Sequence, residues 1–141
     1  MEPYPESYQA MVEQAQKEKA TNDFPRYQTI PSAFFKERVI FVGFPNWWGS
    51  YPRIVASFLK DHHFDGKIIF PFCTHEGSGF GSSLEDFKKT CPEALVYPGL
   101  AIRGSRVNKA DHAIQNWLNP HFITIEEGVD RYGKETNCRK R

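Results

Sequence analysis

Three short runs of continuous apolar residues decide what this chain can fold into: VIFVGF (Val39–Phe44), KIIFPFC (Lys67–Cys73) and ALVYPGLAIRG (Ala94–Gly104). A strand with one face in water alternates apolar and polar residues. A run without alternation suits a strand buried on both faces, the habit of parallel sheets. Each run is followed by a segment of helical periodicity. PRIVASFLKDH (Pro52–His62) sets Ile54, Val55, Phe58 and Leu59 on one face. SSLEDFKKTC (Ser82–Cys91) groups Leu84, Phe87 and Cys91 and opens on a capping box, Ser82 to Glu85. SRVNKADHAIQNWL (Ser105–Leu118) aligns Val107, Ala110, Ile114 and Trp117. Strand–helix repeated in this way needs right-handed crossovers. It predicts an α/β fold in three layers, a parallel sheet with helices on both faces.

Ahead of these units, Tyr4 to about Ala20 is expected to be helical. Pro5 suits a first helical position, Glu6 suits the positive end of the dipole, and Tyr8, Met11, Val12 and Ala15 form one apolar stripe. Thr21–Glu37, punctuated by Pro25 and Pro31, is a long connection. Pro71 disturbs the second strand and Pro98–Gly99 bends the third. A length of 141 residues fits one domain, here 1–127, followed by a mobile tail, 128–141.

The bulk chemistry removes several function classes. Eighteen Lys and Arg against 17 Asp and Glu leave a net charge of +1, no footprint for nucleic acid. The basic run CRKR at the C-terminus reads as a solvated tail. No apolar run has the length of a membrane span. MEPYPESYQ has neither the basic region nor the apolar core of a signal peptide. Cys73, Cys91 and Cys138 make no even disulfide framework, which points to a reduced, cytoplasmic setting.

In open parallel sheets, ligands sit beyond the carboxyl ends of the strands, so chemistry is sought in the loops 45–51, 74–81 and 103–106. The first, PNWWGSY, carries adjacent tryptophans, Trp47 and Trp48. Either they stack on a planar ligand such as a flavin, a nucleotide base or a quinone, or they pack under a neighbouring helix or at a subunit contact. The stretch alone does not choose. The second, THEGSGFGSS, follows a strand and opens a helix, a geometry that exposes backbone amides. Its G-x-G-x-G spacing is not G-x-G-x-x-G, and no Lys follows as in a P-loop, so close approach to something flat is the better reading. His75 and Glu76 serve either a proton or hydride step or hydrogen bonds within the loop. Cys73 and His75 lack a second ligand pair for a metal. His62–His63 at a helix end reads as a solvated cap. No G-x-S-x-G and no coherent triad is present.

Taken together, VIFVGFPNWWGSYP, GKIIFPFCTHEGSGFGSS, CPEALVYPGLAIRG and the early PYPESYQAMVEQAQKE closely resemble the flavodoxin-like proteins, in the bacterial branch known as flavodoxin family proteins, over roughly residues 3 to 118. The resemblance implies a parallel sheet in the order 2-1-3-4-5, an FMN cofactor, and electron transfer as a carrier or an NAD(P)H-dependent reductase. It implies that Pro45, Asn46, Trp47, Trp48 and Gly49 flank the isoalloxazine ring. Thr74, His75, Glu76, Gly77, Ser78, Gly79 and Phe80 correspond to the second flavin loop.

One departure has physical consequences. The family begins with a strand, a Ser/Thr- and Gly-rich phosphate loop, a helix and a second strand, and this sequence starts at the helix after them. Losing several charge-assisted hydrogen bonds, each worth about 1.5–3 kcal/mol, predicts FMN affinity lower by about two to four orders of magnitude. The Val39–Phe44 strand is left as a sheet edge, which is expected to be covered. A homodimer or partner chain, the Thr21–Glu37 connection, or additional chain upstream of Met1 would each do so. Two functional readings follow: an FMN-binding redox protein, or a non-catalytic remnant of the fold that serves as an oligomerisation or interaction module.

Overall fold

The computed structural model of the chain describes residues 3–126. The expected tail at 128–141 lies outside the described residues. The chain divides into two compact units at Ser105–Arg106. The first carries helix α1 (Tyr8–Thr21), strand β1 (Val39–Pro45), helix α2 (Arg53–Asp61), strand β2 (Ile68–His75), helix α3 (Ser83–Thr90) and strands β3 (Leu95–Val96) and β4 (Leu100–Arg103). The second carries helix α4 (Asp111–Glu126) after a 3-10 segment that begins at Gly104. No helix among the described residues is long and apolar enough to cross a membrane.

The sheet is parallel, as the uninterrupted apolar runs require. β1 pairs with β2 from Val39↔Ile68 to Pro45↔Thr74, and β2 pairs on its other side with β3 and then β4. The expected bend in the third strand is a break. β3 stops at Val96, β4 resumes at Leu100, and Pro71 faces the gap between them. A proline in a central strand is tolerated there because the ladder asks no N–H of it. Gly99 makes the gap possible: a Cβ on it would lie 2.8 Å from the Pro71 carbonyl oxygen.

Burial along β1 alternates, contrary to the expectation of two covered faces. Ile40, Val42 and Phe44 are buried, whereas Phe41 is 41% exposed. The buried set meets Ile69 and Cys73 of β2, Ala56 and Leu59 of α2, and Phe87 of α3 in one core. Each large side chain of that core contributes roughly 1.5–3 kcal/mol by leaving water. The connection 23–36 packs on α2, with Tyr27 edge-on to Phe58 and Phe35 at 4.2 Å from His62. His62 also hydrogen-bonds the Tyr27 hydroxyl at 2.9 Å. It is therefore a packing residue and not a solvated cap.

Three helix boundaries differ from the sequence reading. α1 starts at Tyr8 because the Ser7 hydroxyl caps it, accepting from the Ala10 amide at 3.2 Å. The capping box of α3 does not form. The Ser82 amide is taken by the Gly49 carbonyl, 2.7 Å away, and the Ser82 hydroxyl donates to Asp86. The segment after β4 is a 3-10 turn through Lys109. α4 begins only at Asp111 and runs through Pro120.

Candidate functional site

The carboxyl ends of β1 and β2 carry two loops that are clasped together. Beyond Pro45 the ladder continues one step, the Asn46 amide donating to the Thr74 carbonyl at 2.8 Å. The chain then reverses. Trp47 and Ser50 exchange backbone hydrogen bonds, at 2.8 and 3.3 Å, across Trp48 and Gly49. Trp48 has φ +54° and Gly49 φ +82°, the pair of positive angles that a type I′ turn demands. Glycine adopts this freely. For an L residue the left-handed region costs roughly 1–2 kcal/mol.

Contacts from outside the turn hold Trp48 there. Its indole N–H donates to the Val12 carbonyl at 3.3 Å, and the Lys19 ammonium donates to the Trp48 carbonyl. Asn46 braces the turn from within. Its Oδ1 accepts from the Gly49 amide at 3.0 Å, while its Nδ2 reaches across to the Gly79 carbonyl at 2.6 Å. The second loop answers at Gly81, whose φ is +55° and whose absent Cβ would lie 2.0 Å from the Gly49 oxygen. Only a residue without a side chain allows that approach.

Between these loops and α1 lies a cleft of about 590 Å³, within the range of small-molecule sites. Pro45, Asn46, Trp47, Trp48, Thr74, His75, Glu76, Gly77 and Ser78 line it. Three other expected site residues lie elsewhere. Phe80 turns into the core against Phe44, and Gly49 and Gly79 form the clasp behind the cleft. Tyr8, Met11, Val12 and Ala15 of α1, and Gly104 after β4, complete the lining. Their role was hidden because the apolar stripe of α1 reads as a core face. A sign to the contrary is its shortness: it ends at a buried carboxylate, Glu18.

The two tryptophans differ in their surroundings. Trp47 is half-buried, with its ring edge-to-face with Tyr4 at 5.2 Å. Trp48 keeps 47% of its surface exposed. His75 Nδ1 accepts from the Gly77 amide at 2.9 Å, so the neutral ring carries its proton on Nε2. Cys73 lies beneath the loops. Burial pushes its thiol up to about 11, which removes thiolate chemistry near neutral pH. Among the described residues no Lys or Arg lines the cleft, though Arg103 Nη2 lies 3.9 Å from the Cβ position of Gly77, beside its wall. The lining suits a flat, largely apolar group better than a phosphate.

Residues 16–121, well over half of the chain, match the flavodoxin family model. The chain belongs to the flavodoxin family. Among solved structures, a candidate flavoprotein from Bacteroides eggerthii DSM 20697 is 28% identical with a TM-score of 0.70, the match covering 84% of this chain and 75% of that one. A second from Bacteroides uniformis ATCC 8492 is 22% identical with a TM-score of 0.67, over 81% and 76% of the two chains. A flavoprotein from Lactobacillus acidophilus NCFM, solved in complex with FMN, is 21% identical with a TM-score of 0.57, over 75% and 71%. The last two show the shared fold. No curated protein matches the chain. For this flavodoxin family member, the cleft offers an exposed indole to a flat ring such as that of FMN; for a phosphate its walls hold the Thr74 and Ser78 hydroxyls but, among the described residues, no Lys or Arg.

Proposed function

We propose that this chain is an FMN-binding redox protein whose cleft between α1 and the two loops receives the isoalloxazine ring. One observation carries the reading. Trp48 is an exposed, bulky residue held in the left-handed region at the wall of a ligand-sized cleft. Backbone strain of this kind persists where the surroundings enforce it, and it clusters at ligand clamps. FMN, when bound, supplies the electron-accepting chemistry; the chain positions the ring and limits water around it. Trp48 offers an indole for stacking. Asn46, Thr74 and Ser78 offer polar atoms to a ring edge, and His75 offers its Nε2 proton. The ring contacts alone, with no Lys or Arg lining this cleft among the described residues, argue for roughly micromolar affinity.

Titrating the protein into FMN and following flavin fluorescence tests the proposal. Saturable quenching, lost in Trp48→Ala, is the expected result. Unchanged fluorescence at protein concentrations on the order of 100 μM overturns it. The reduced thiols Cys73 and Cys91, both free and buried, favour a cytoplasmic setting.

A companion proposal concerns the sheet edge. Among the described residues β1 pairs on one side only, with β2. Such an edge invites a second copy of this chain or a partner chain to cover it. Measuring solution mass checks this, and a monomer at high concentration would overturn the homodimer.

A further inference from the structure

Three cations stand beside the ring cleft without carboxylate partners. Lys19 belongs to the last turn of α1, Arg53 opens α2, and Lys89 lies near the end of α3. All three line a second cleft of about 400 Å³, together with Ser50, Ser82 and Asp86. Asp86 is the acid of that lining, and it is already engaged. Its Oδ2 accepts from the Ser50 hydroxyl at 2.6 Å and from the Ser82 hydroxyl at 2.7 Å. Among the described residues neither Lys19, Arg53 nor Lys89 forms an ion pair. The local balance is therefore positive.

Arg53 supplies a second, independent observation. Its Nε donates to the Asp23 carbonyl at 2.8 Å, and its guanidinium lies 4.6 Å from the centre of the Phe24 ring. Its Nη2 is shut off from solvent and has no hydrogen-bond partner among the described residues. That nitrogen is closed to the cleft as it is to solvent, so what Arg53 adds to the lining is the positive charge of its guanidinium. A planar guanidinium flanked by ammonium groups and hydroxyls is the donor set that phosphate groups favour.

The second cleft adjoins the first. Ala15 and Trp47 line both. The first cleft has an exposed indole and, among the described residues, no lining Lys or Arg; its neighbour is lined by three cations. We infer that the Lys19–Arg53–Lys89 cleft binds a phosphate monoester, brought there by the flavin nucleotide whose ring occupies the adjoining cleft. This rests on the flavin reading above. It assigns the phosphate to residues of α1, α2 and α3.

The test compares FMN with riboflavin, which has the same ring and side chain without the phosphate. A thermal-shift series in inorganic phosphate against chloride at matched ionic strength runs beside it. Lys89→Gln is the principal variant, because Lys89 is exposed on α3 and outside the core; Arg53→Gln is the second. FMN is expected to bind roughly tenfold or more tighter than riboflavin, since one charge-assisted hydrogen bond is worth about that factor. Lys89→Gln should remove most of that advantage and leave riboflavin binding unchanged. If both flavins bind equally well, the phosphate assignment is overturned while the ring cleft stands. If neither flavin binds, but phosphate raises the melting temperature of the native protein and not of Lys89→Gln, the anion site is supported and the flavin reading is overturned. Neither flavin binding nor a phosphate-dependent shift would overturn both.

Discussion

Gly81→Ala tests whether the two loops are locked together. The new Cβ would lie 2.0 Å from the Gly49 oxygen and 2.6 Å from its carbonyl carbon, where ordinary contacts begin at 3.4 Å. The obstacle is backbone, so no rotamer change relieves it. Either the first loop moves by more than an ångström or Gly81 leaves its left-handed conformation. Both strain the hydrogen bond from the Ser82 amide to the same oxygen, now 2.7 Å. The left-handed alanine costs roughly 1–2 kcal/mol and the weakened hydrogen bond roughly 1 kcal/mol more, about 2–3 kcal/mol in all. Gly79→Ala is the built-in control. Its φ is +59°, yet nothing lies within 4 Å of its Cβ position, so it meets the conformational cost alone. Urea unfolding of both variants measures the difference. With a slope of about 1.5 kcal/mol/M, the midpoint of Gly81→Ala should fall below that of Gly79→Ala by roughly 0.7 M. Equal midpoints would refute the clasp, and with it the view that the cleft walls are held at a fixed spacing.

Asn46→Ala removes one hydrogen bond between the loops and one within the first turn, and should cost about 2–3 kcal/mol in urea unfolding. Asn46→Asp should be no better, because it faces the Gly79 carbonyl with a second acceptor. Trp48→Gly should change stability by less than about 1 kcal/mol, since relief of left-handed strain offsets the lost indole hydrogen bond. Flavin affinity should nevertheless fall roughly tenfold or more with the lost stacking surface; a large destabilisation with unchanged flavin binding would make Trp48 a packing residue. Burial raises the Cys73 and Cys91 thiols from 9.0 to about 11. The unfolded chain then loses these protons first, so the thiols' contribution is level below pH 9 and falls between pH 9 and 11, by roughly 3 kcal/mol per thiol. Denaturant midpoints across that range measure the decline, and the double variant Cys73→Ala/Cys91→Ala should make it shallower, leaving the part due to the raised phenols of Tyr4, Tyr27 and Tyr51.

The strands and the loops at their ends were legible because their signals are local. VIFVGF and KIIFPFC lack alternation, and the parallel ladder from Val39↔Ile68 to Pro45↔Thr74 follows from that. Pro71 was visible as an anomaly. Its resolution needs the break between Val96 and Leu100, which no periodicity encodes. The capping box at Ser82 failed for a non-local reason: its amide is claimed by a carbonyl 33 residues earlier in the chain. Within the cleft, Pro45–Trp48 and Thr74–Ser78 were within reach, since strand ends in parallel sheets face ligands. Phe80 was misplaced because a glycine-rich flank hides that its ring is needed in the core beside Phe44. The turn at Trp48–Gly49 had a faint signal, an Asn before and a Gly at the second central position. A tryptophan where asparagine is usual obscured it.

What no local signal could supply is the contribution of α1. Met11, Val12 and Ala15 line the ring cleft, and Ala15 and Lys19 line its basic neighbour, so both sites need this helix in place. The same helix supplies the Val12 carbonyl and the Lys19 ammonium that hold Trp48 in its strained conformation. Yet the apolar part of its docking is slight: Ala15 is its one buried apolar residue. Polar contacts support it. The buried Glu18 carboxylate accepts from the Tyr4 hydroxyl and from Gln14, each at 2.9 Å, and the Tyr4 ring meets Trp47. Burial and the Glu18 carboxylate push the Tyr4 phenol above its ordinary range, so it remains a proton donor throughout the neutral region. A helix attached in this way opens at lower free energy than the β1–β2–α3 core, where Ile40, Ile69 and Phe87 are fully enclosed. Site formation is thereby separable from fold formation. Release of α1 leaves the sheet intact, dissolves both clefts and frees Trp48 from the contacts that strain it. Conversely, a ligand that spans the two clefts touches α1 on both sides of Ala15. Its binding free energy adds to the stability of that helix before it adds to any other element.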